Sequence, residues 1–255
     1  MTRVEVVRLP YLMPAPPDVP FAIVDVAFAG AETVTKTYDF IDAAGDRLRA
    51  WVDHHEHPEG WPRFRSDPRF TLVSSRFAHA CPELVTRDVV RAAGPVGAVL
   101  AHHDFDGLMS AACWLREGEP PYSEALEDAR ATDSPGRGHV LSARGARWAD
   151  ALSEAGAELE EEAYFSFFRA LVDVLVTGSE PPSFTRELDR FAAEARRTEE
   201  KARLLAETRA VEAPGVCVLR LPAQLDRRMR RAILSILEGD ATVGLVLEGS
   251  EKRYW

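Results

Sequence analysis

Three short apolar runs in this chain are each followed directly by an acidic residue or by a cluster of acidic residues and histidines. They are residues 21–24 before Asp25, residues 48–52 before Asp53-His54-His55, and residues 96–101 before His102-His103-Asp104-Phe105-Asp106. Short β-prone runs separated by stretches with helical periodicity predict βα units and a largely parallel sheet flanked by helices. In an open parallel sheet the ligand crevice lies beyond the carboxyl ends of the strands. We therefore predict an α/β fold in which the three polar groups share one crevice.

The same periodicities predict the helices and strands in the rest of the chain. Helices are expected at residues 80–93, 108–116 and 159–176 and from Ser183, as N-cap, to about residue 211. A strand, a helix and a strand are expected at residues 216–221, 224–237 and 242–247. We divide the chain into a large α/β domain over residues 1–150, which contains all three polar groups, a helical connector over residues 151–213 and a small C-terminal α/β unit over residues 214–255.

The amino-acid composition limits the classes of protein to which this chain can belong. The chain has 255 residues, of which 46% are hydrophobic, which is enough for one large domain or for a larger and a smaller one. Its first residues are interrupted by several prolines and lack the apolar stretch of a signal peptide or a membrane span, so we expect a cytoplasmic protein without membrane association. Cys81, Cys113 and Cys217 show no paired spacing and are predicted to be reduced and buried.

The net charge limits the kinds of partner that the chain can bind. The formal net charge of −10 disfavours binding to duplex nucleic acid, which depends on many Lys and Arg contacts with phosphate. Small anionic substrates stay compatible with this charge, because bound metal ions reverse the local field. The oligomeric state cannot be deduced from these patterns.

The second and third polar groups suggest a metal site. Residues 54–57 and 102–103 hold five of the chain's seven histidines. Asp and His side chains bind divalent ions such as Mn²⁺. Two such ions, held by several carboxylates of which at least one bridges them, can activate a water and stabilise its in-line attack on phosphorus. A metal-dependent hydrolase is therefore the first hypothesis.

These motifs resemble the DHH phosphoesterase superfamily, which includes RecJ-like exonucleases, nanoRNases and family II pyrophosphatases. The residues that carry the resemblance are Asp53-His54-His55, the lone Asp25 at an earlier strand end, and His102-x-Asp104-x-Asp106-Gly107 followed by Leu108-Met109-Ser110-Ala111-Ala112. They lie within roughly residues 20–135, about half of the chain. The family's order differs, because there the Asp-x-Asp motif comes first, the lone Asp second and Asp-His-His third.

The order in this chain resembles a circular permutation. A permuted sheet can keep its site if the original termini lay close together, as domain termini often do. The alternative is that the family's last acidic motif, which follows Asp-His-His, has converged on residues 104–107. The tail over residues 107–112 argues against this alternative.

The resemblance implies a Mn²⁺-dependent phosphoesterase with two ions, with Mg²⁺ or Co²⁺ as possible substitutes. His102, Asp104 and Asp25 would hold one ion. Asp106, Asp25, His54 and a further acid would hold the other, with Asp25 as the bridge. Asp133 is our choice for the further acid, although an Asp that starts a turn before Ser-Pro explains it equally well. Asp128, about one turn earlier on the same predicted helix, is a poorer choice.

The resemblance also implies roles around the metal ions. His55 would contact the scissile phosphate as a cation or donate a proton to the leaving group, and Asp53 would orient the histidine pair. The family's Gly-Gly-Gly-His motif is absent after residue 150, and the nearest string, at residues 136–143, makes Arg137 and His139 the candidate substrate-binding residues. A polar loop entering a helix is the alternative reading of that string.

The remaining polar residues have simpler explanations. His57 and His103 are expected near the site or in solvent, and His79 is expected in the cap region of a helix. The basic cluster at residues 227–231 is either a solvated helix face or a surface that closes over a nucleotide.

We predict hydrolysis of phosphodiester or phosphomonoester bonds in small nucleotides or short oligonucleotides, with pyrophosphate a less favoured substrate. One alternative is a catalytically silent relative that binds a nucleotide or a protein. The other is a metal-binding protein without hydrolysis.

Overall fold

The main sheet has five parallel strands, and three of them are the strands expected from the three apolar runs. In the computed structural model, which describes residues 2–134, 139–249 and 251–252, these strands are β1 (Arg3–Val7), β2 (Phe21–Val24), β3 (Leu48–Asp53), β4 (Phe70–Leu72) and β5 (Ala98–His102). Their order across the sheet is β1-β5-β2-β3-β4, and each neighbouring pair is parallel. The predicted α/β fold is confirmed.

Helices cover both faces of this sheet. They are α1 (Val34–Ala44), α2 (Gly60–Phe64), α3 (Arg87–Ala93), α4 (Phe105–Leu115), α5 (Ala125–Asp133), α6 (Ala143–Glu158), α7 (Glu161–Thr177) and α8 (Pro182–Ala206). Successive side chains of β2 point to opposite faces of the sheet, as they do in any strand. Ala22 and Val24 belong to a core with α4, α6, α7 and α8, whereas Phe21 and Ile23 belong to a core with α1 and α2.

Strand order places one crevice in the middle of the sheet. The chain runs outward from β2 through β3 to β4, then returns to insert β5 between β1 and β2. In doubly wound sheets, ligands bind where the strand order reverses, beyond the carboxyl ends of the strands. Here this position lies beyond β5 and β2, with β3 alongside. Asp25, Asp53 and His102 are found at these strand ends.

The segment between β4 and β5 corrects the helix expected at residues 80–93. Residues Cys81–Glu83 form one 3₁₀ turn, and α3 begins only at Arg87, after Thr86, whose hydroxyl accepts a hydrogen bond from the Val89 N–H at 3.4 Å. The helix cannot extend back, because residues 80–85 turn inward and pack against the sheet. The Cys81 N–H there donates to a buried carboxylate rather than lying on the surface.

The long charged helix also differs from its prediction at both ends. α8 begins at Pro182 with Pro181 as its cap, so Ser183 lies within the first turn and is not the cap. Proline suits the first helical turn because its missing N–H has no intrahelical partner there. The helix ends at Ala206, before the predicted end near residue 211, and a strand begins a few residues later. Within the helix, Arg203 forms an ion pair at 2.8 Å with Glu199, four residues earlier.

The C-terminal unit is a second sheet covered by one helix. Its elements are β6 (Ala210–Ala213), β7 (Val216–Leu221), α9 (Arg227–Asp240), β8 (Val243–Glu248) and β9 (Glu251–Lys252), and its strand order is β6-β7-β8-β9. Strand β7 and the neighbouring helix and strand follow the prediction closely. β6 replaces the predicted end of the long helix, because it pairs antiparallel with β7.

Two arginines of the basic cluster are engaged in ion pairs. Arg228 pairs with the buried Glu154 of α6, and Arg230 lies 2.6 Å from the buried Glu248 of β8. These two side chains therefore stabilise the packing of the C-terminal unit instead of closing over a nucleotide.

The predicted boundaries at residues 150 and 213 stay predictions. The core on one face of the main sheet includes residues on both sides of residue 150, from Val6 to Ala192. The three cysteines are free and buried, as predicted. None of the helices in residues 2–134 and 139–249 is long and apolar enough to cross a membrane.

Candidate metal centre

Asp25 lies at the centre of the site because of an unusual backbone conformation. Its φ is 57°, in the left-handed region, which Asp tolerates better than most residues. The Asp25 N–H donates to the Val52 carbonyl at 2.9 Å, so the residue still pairs with β3 after β2 has ended. The resulting turn directs a fully buried carboxylate into the crevice.

The end of β3 contributes two histidines with defined orientations. Nδ1 of His54 donates to the Ala78 carbonyl at 3.0 Å, which leaves the lone pair of Nε2 directed into the site in the neutral ring. Nδ1 of His55 contacts Oδ1 of the buried Asp53 at 2.8 Å. Asp53 therefore orients His55, while a backbone carbonyl orients His54. Second partners of this kind commonly fix metal-binding or catalytic histidines.

The end of β5 and the start of α4 form the third part of the site. Asp104 is the N-cap of α4, where Oδ1 accepts a hydrogen bond from the Gly107 N–H at 3.0 Å. Its other oxygen lies 2.8 Å from Nδ1 of His102. Although burial opposes ionisation, His102 and the Gly107 N–H hold the pKa of Asp104 below its usual range.

Gly107 is required by close packing. A Cβ added at this position would lie 2.2 Å from the His102 carbonyl oxygen, which is backbone and cannot move aside easily. The absence of a side chain allows α4 to start directly against the end of β5. This packing brings Asp104 and Asp106 to the same crevice as Asp25.

The end of α5 brings the fourth acid to the site. Asp133 Oδ2 lies 3.8 Å from Nε2 of His54, and its side chain is 26% exposed. Asp128 is directed elsewhere: its fully buried carboxylate accepts hydrogen bonds from the Tyr122 hydroxyl at 2.7 Å and from the Ser142 N–H at 2.6 Å. Asp128 thus ties α5 to the start of α6. The preference for Asp133 over Asp128 agrees with this geometry.

Within residues 2–134 and 139–249, side chains form three groups whose potential ligand atoms lie within 4.8 Å of one another. The groups are Asp25 with His102 and Asp104, His54 with Asp106 and Asp133, and Asp25 with His54 and His55. The first group is the first ligand set implied by the resemblance, and the second group is the other ligand set without Asp25. Such a buried cluster of carboxylates and imidazoles can hold a metal ion.

Asp25 connects the groups through its two oxygens. Oδ1 lies 3.6 Å from Nε2 of His54, whereas Oδ2 lies 3.8 Å from Nδ1 of His102. One carboxylate therefore faces both ligand sets. This is the arrangement expected of a bridging ligand.

Unsatisfied buried atoms support a cation at this position. Asp25 Oδ1 and Oδ2, His54 Nε2 and Asp106 Oδ1 are all buried and have no hydrogen-bond partner among the described residues. Buried polar atoms without partners are costly and uncommon. Convergence of several such atoms in one crevice is explained if they are ligands. The residues present therefore fit a metal site.

The close packing of these groups changes their pKa values. Burial raises the pKa of Asp25 well above its usual range, and the neighbouring Asp106 raises it further. Burial also raises the pKa of Asp106 to about 6, although His54 opposes the shift. Burial alone would lower the pKa of His54, but the Asp106 carboxylate raises it to about 9. Without a cation the cluster therefore retains protons at neutral pH.

Comparison of the chain with protein-family models, curated proteins and solved structures gives no match. The likeness to the DHH superfamily, with its permuted order, thus rests on the motifs themselves and stays a prediction.

Several contacts that shape the site were not expected from the sequence. The Ala78 carbonyl orients His54, and the Cys81 N–H donates to Asp106 Oδ2 at 2.9 Å. The Tyr164 hydroxyl, from α7, donates to the His103 carbonyl and so fixes the segment between His102 and Asp104. All three contacts use a backbone atom, and one of them also depends on a distant helix, so local sequence patterns carry no signal for them.

The remaining histidines have different positions. His57 is buried and its Nδ1 accepts a hydrogen bond from the Gly60 N–H at 2.9 Å, so it orders the loop after β3 and is not solvent-facing. Arg137 lies outside the described residues. His139, which we expect to bind substrate together with Arg137, lies 2.8 Å from His79 through ring nitrogens. His79 was interpreted only as a residue of the cap region.

Proposed function

We propose that this chain is a metal-dependent phosphoesterase that hydrolyses phosphodiester or phosphomonoester bonds of small nucleotides or short oligonucleotides. The observation that carries the proposal is the position of Asp25, whose two oxygens face His54 and His102 separately. A lone metal-binding cluster needs no such shared carboxylate. Two neighbouring cation sites do, and their main use in enzymes is the displacement of phosphate esters.

The donor set supports Mn²⁺, with Mg²⁺ or Co²⁺ as possible substitutes. Carboxylates and imidazoles together favour ions of intermediate softness, and none of the three described cysteines belongs to a group of potential ligands. His102, Asp104 and Asp25 would hold one ion. His54, Asp106, Asp133 and Asp25 would hold the other. When bound, such ions polarise the phosphoryl group and lower the pKa of an attacking water.

His55 is the residue that we assign to the substrate phosphate. Its side chain is 41% exposed, so it can reach a bound ligand, and its Nδ1 is held by the buried Asp53. Burial would lower the pKa of His55, but Asp53 outweighs burial and raises it. Asp53 thereby orients the ring and favours its cationic form. A cationic imidazole in this position stabilises the additional negative charge that develops on phosphorus oxygens.

An aromatic side chain beside the centre supports a nucleotide substrate. Phe77 is 82% exposed, yet its backbone is ordered by a hydrogen bond from its N–H to the Ser74 carbonyl at 2.8 Å. The next residue is Ala78, whose carbonyl orients His54. A base can stack on an exposed aromatic ring irrespective of its identity. Pyrophosphate offers nothing for Phe77 to contact and is therefore less favoured.

Hydrolysis is tested with the full chain in the presence of Mn²⁺. Suitable substrates are bis(p-nitrophenyl) phosphate, linear dinucleotides, 3′-phosphoadenosine 5′-phosphate and pyrophosphate. We expect turnover of at least one nucleotide, and its loss in Asp25→Asn, which keeps the shape of the side chain but removes the charge. Asp39→Asn is the matched control, because Asp39 lies exposed on α1.

The alternatives give different results in the same experiment. Metal-dependent stabilisation without turnover of any substrate would indicate a metal-binding protein or a silent nucleotide-binding relative. Equal activity of the wild-type protein and Asp25→Asn would contradict the bridging role and with it the two-metal proposal.

A further inference from the structure

A chain of hydrogen bonds from Glu127 through His139 to His79 lies beside the metal centre. Nδ1 of His139 is 3.0 Å from Oε1 of Glu127, and Nε2 of His139 is 2.8 Å from Nδ1 of His79. The proposed function assigns no role to these residues. We infer that His79 donates the proton to the leaving group of the substrate, and that His139 and Glu127 position it and support its charge; this inference rests on the proposed phosphoesterase function.

The direction of the hydrogen bonds follows from the chemistry of the groups. An ionised Glu127 can only accept, so Nδ1 of His139 must carry the proton that it donates. In a neutral His139 the other nitrogen, Nε2, then has a lone pair and accepts from Nδ1 of His79. As a result Nε2 of His79 is the nitrogen at the end of the chain. It can gain or lose a proton without breaking either hydrogen bond.

The position of His79 is tied to the metal centre on both sides. The carbonyl of the preceding Ala78 orients His54 at 3.0 Å. The carbonyl of His79 accepts a hydrogen bond at 3.1 Å from the hydroxyl of Ser134, which directly follows Asp133. His79 therefore belongs to the rim of the crevice, next to the ligand set that contains His54 and Asp133.

Nε2 of His79 is available to a substrate. This atom makes no hydrogen bond within residues 2–134 and 139–249, and it is not fully buried. The His79 residue itself is half-buried. An available ring nitrogen at the rim of a hydrolytic site, with its other nitrogen bonded to a His and Glu pair, has the arrangement of a general acid.

A second set of contacts holds the chain of hydrogen bonds from Glu127 through His139 to His79, the relay, in place. Arg130 Nη1 lies 3.3 Å from Glu127 Oε2, and its Nη2 lies 2.7 Å from Glu83 Oε2. Glu83 in turn accepts a hydrogen bond from the Ala80 N–H at 2.9 Å. The network thus returns to the residue that follows His79. Both ends of the relay are anchored to one structure, which limits the motion of the rings.

The proposed step exchanges one oxygen on phosphorus for another. The oxygen of water forms a bond to phosphorus while the bond from phosphorus to the ester oxygen breaks. The ester oxygen keeps the electron pair of that bond and takes the proton from Nε2 of His79. Water loses its proton to the solvent, and His79 regains a proton from the solvent before the next turnover. The products are an alcohol and a phosphate group with one added hydroxyl.

The test compares two substrates that differ in the leaving group. A dinucleotide releases a sugar hydroxyl, which needs a proton, whereas a p-nitrophenyl ester of the same nucleoside phosphate releases p-nitrophenolate, which does not. We expect His79→Gln to lower kcat for the dinucleotide by about 10²-fold or more, the usual contribution of a general acid, and to leave kcat for the p-nitrophenyl ester nearly unchanged. His139→Gln should lower the dinucleotide rate by a smaller factor, again selectively.

Val140→Ala is the control, because this exposed side chain adjoins His139 without joining the relay through its side chain. It should leave both rates unchanged. An equal decrease for both substrates in His79→Gln would show that the relay is merely structural and would overturn the inference, as would no decrease for either. Those results leave the proposed function intact, since the wild-type protein is active in both. Absence of wild-type activity on every substrate would overturn the proposed function and this inference together.

Discussion

Nε2 of His54 lies 3.6 Å from Oδ1 of Asp25, and both atoms are buried without a hydrogen-bond partner among the described residues. Removing two such groups from water costs free energy unless each is paired. Nε2 of His54 also lies 3.2 Å from Oδ2 of Asp106, so two carboxylates face this nitrogen. The pair is therefore an arrangement that favours an additional positive charge, either a proton or a cation.

The first prediction concerns metal-dependent stability. Adding Mn²⁺ at about a hundred times its dissociation constant should stabilise the folded chain by about 2.7 kcal/mol. For a chain of this size the melting temperature should rise by roughly 5 to 10 °C. In Asp25→Asn the rise should disappear, while the metal-free variant should be at least as stable as the metal-free wild type because burial disfavours the charged form of Asp25. Differential scanning calorimetry measures all of these values. A full thermal shift in Asp25→Asn would exclude Asp25 as a ligand.

The second prediction concerns pH. The pKa of His54 is raised to about 9 in the metal-free protein. Its protonation therefore stabilises the fold fully below the unfolded pKa of about 6.5, and this stabilisation is lost as the pH rises towards 9. Since metal and proton compete for the same nitrogen, we expect the metal-induced rise in melting temperature to be larger at pH 8.5 than at pH 6. Differential scanning calorimetry with and without Mn²⁺ at both pH values checks the result, and a rise that is independent of pH would contradict it.

The third prediction concerns Gly107. In Gly107→Ala the new Cβ would meet the His102 carbonyl oxygen, so α4 must move away from β5. Because Asp104 and Asp106 move with α4, we expect weaker metal binding together with a loss of stability of roughly 1 to 3 kcal/mol. Gly30→Ala is the control, because no atom lies near the position of its added Cβ. Unchanged metal affinity in Gly107→Ala would show that the close approach is not required.

The fourth prediction separates two acids of one helix. Asp128→Ala should destabilise the fold by about 3 kcal/mol, because its carboxylate is fully buried and removal leaves the Ser142 N–H and the Tyr122 hydroxyl without their acceptor. Asp133→Ala should change stability little in the absence of metal but should weaken metal binding. Chemical denaturation and metal titration of both variants check the contrast. The reverse pattern would place Asp128, and not Asp133, in the site.

The fifth prediction concerns Phe77. If a base stacks on its ring, Phe77→Ala should raise KM for a dinucleotide by about 5- to 100-fold and change kcat little, since stacking is worth about 1 to 3 kcal/mol per base. KM for glycerol phosphate, which carries no ring, should not change. Leu204→Ala, at another exposed apolar residue, serves as the control. An equal change of KM for both substrates would show that Phe77 does not contact a base.

The local patterns predicted the strands well but the helices less well. Strands β2, β3, β5 and β7 were recognised because their apolar runs are short, continuous and bounded by polar residues. β1 and β4 were not predicted. They are edge strands with weaker patterns, and their pairing with β5 and β3 depends on residues distant in the chain. The break between residues 83 and 87 depends in the same way on Asp106, which draws the Cys81 N–H inward.

The choice between Asp128 and Asp133 shows the limit of such patterns. Five residues along a helix correspond to a rotation of about 140°, so the two side chains leave α5 on different sides. The sequence indicates this difference in direction, but it contains no sign of which side faces the site. That depends on how α5 packs against α4 and α6.

By itself the sequence determined the class of fold and the chemical nature of the site. Apolar runs that end in Asp and His specify parallel strands with potential metal ligands at their carboxyl ends, and both properties are local. Only the tertiary structure decided that Asp25 faces two ligand sets, that Asp133 joins the site while Asp128 does not, and that His79 and His139 meet. These relationships depend on the packing of segments far apart in the chain, and packing is a property of the whole fold.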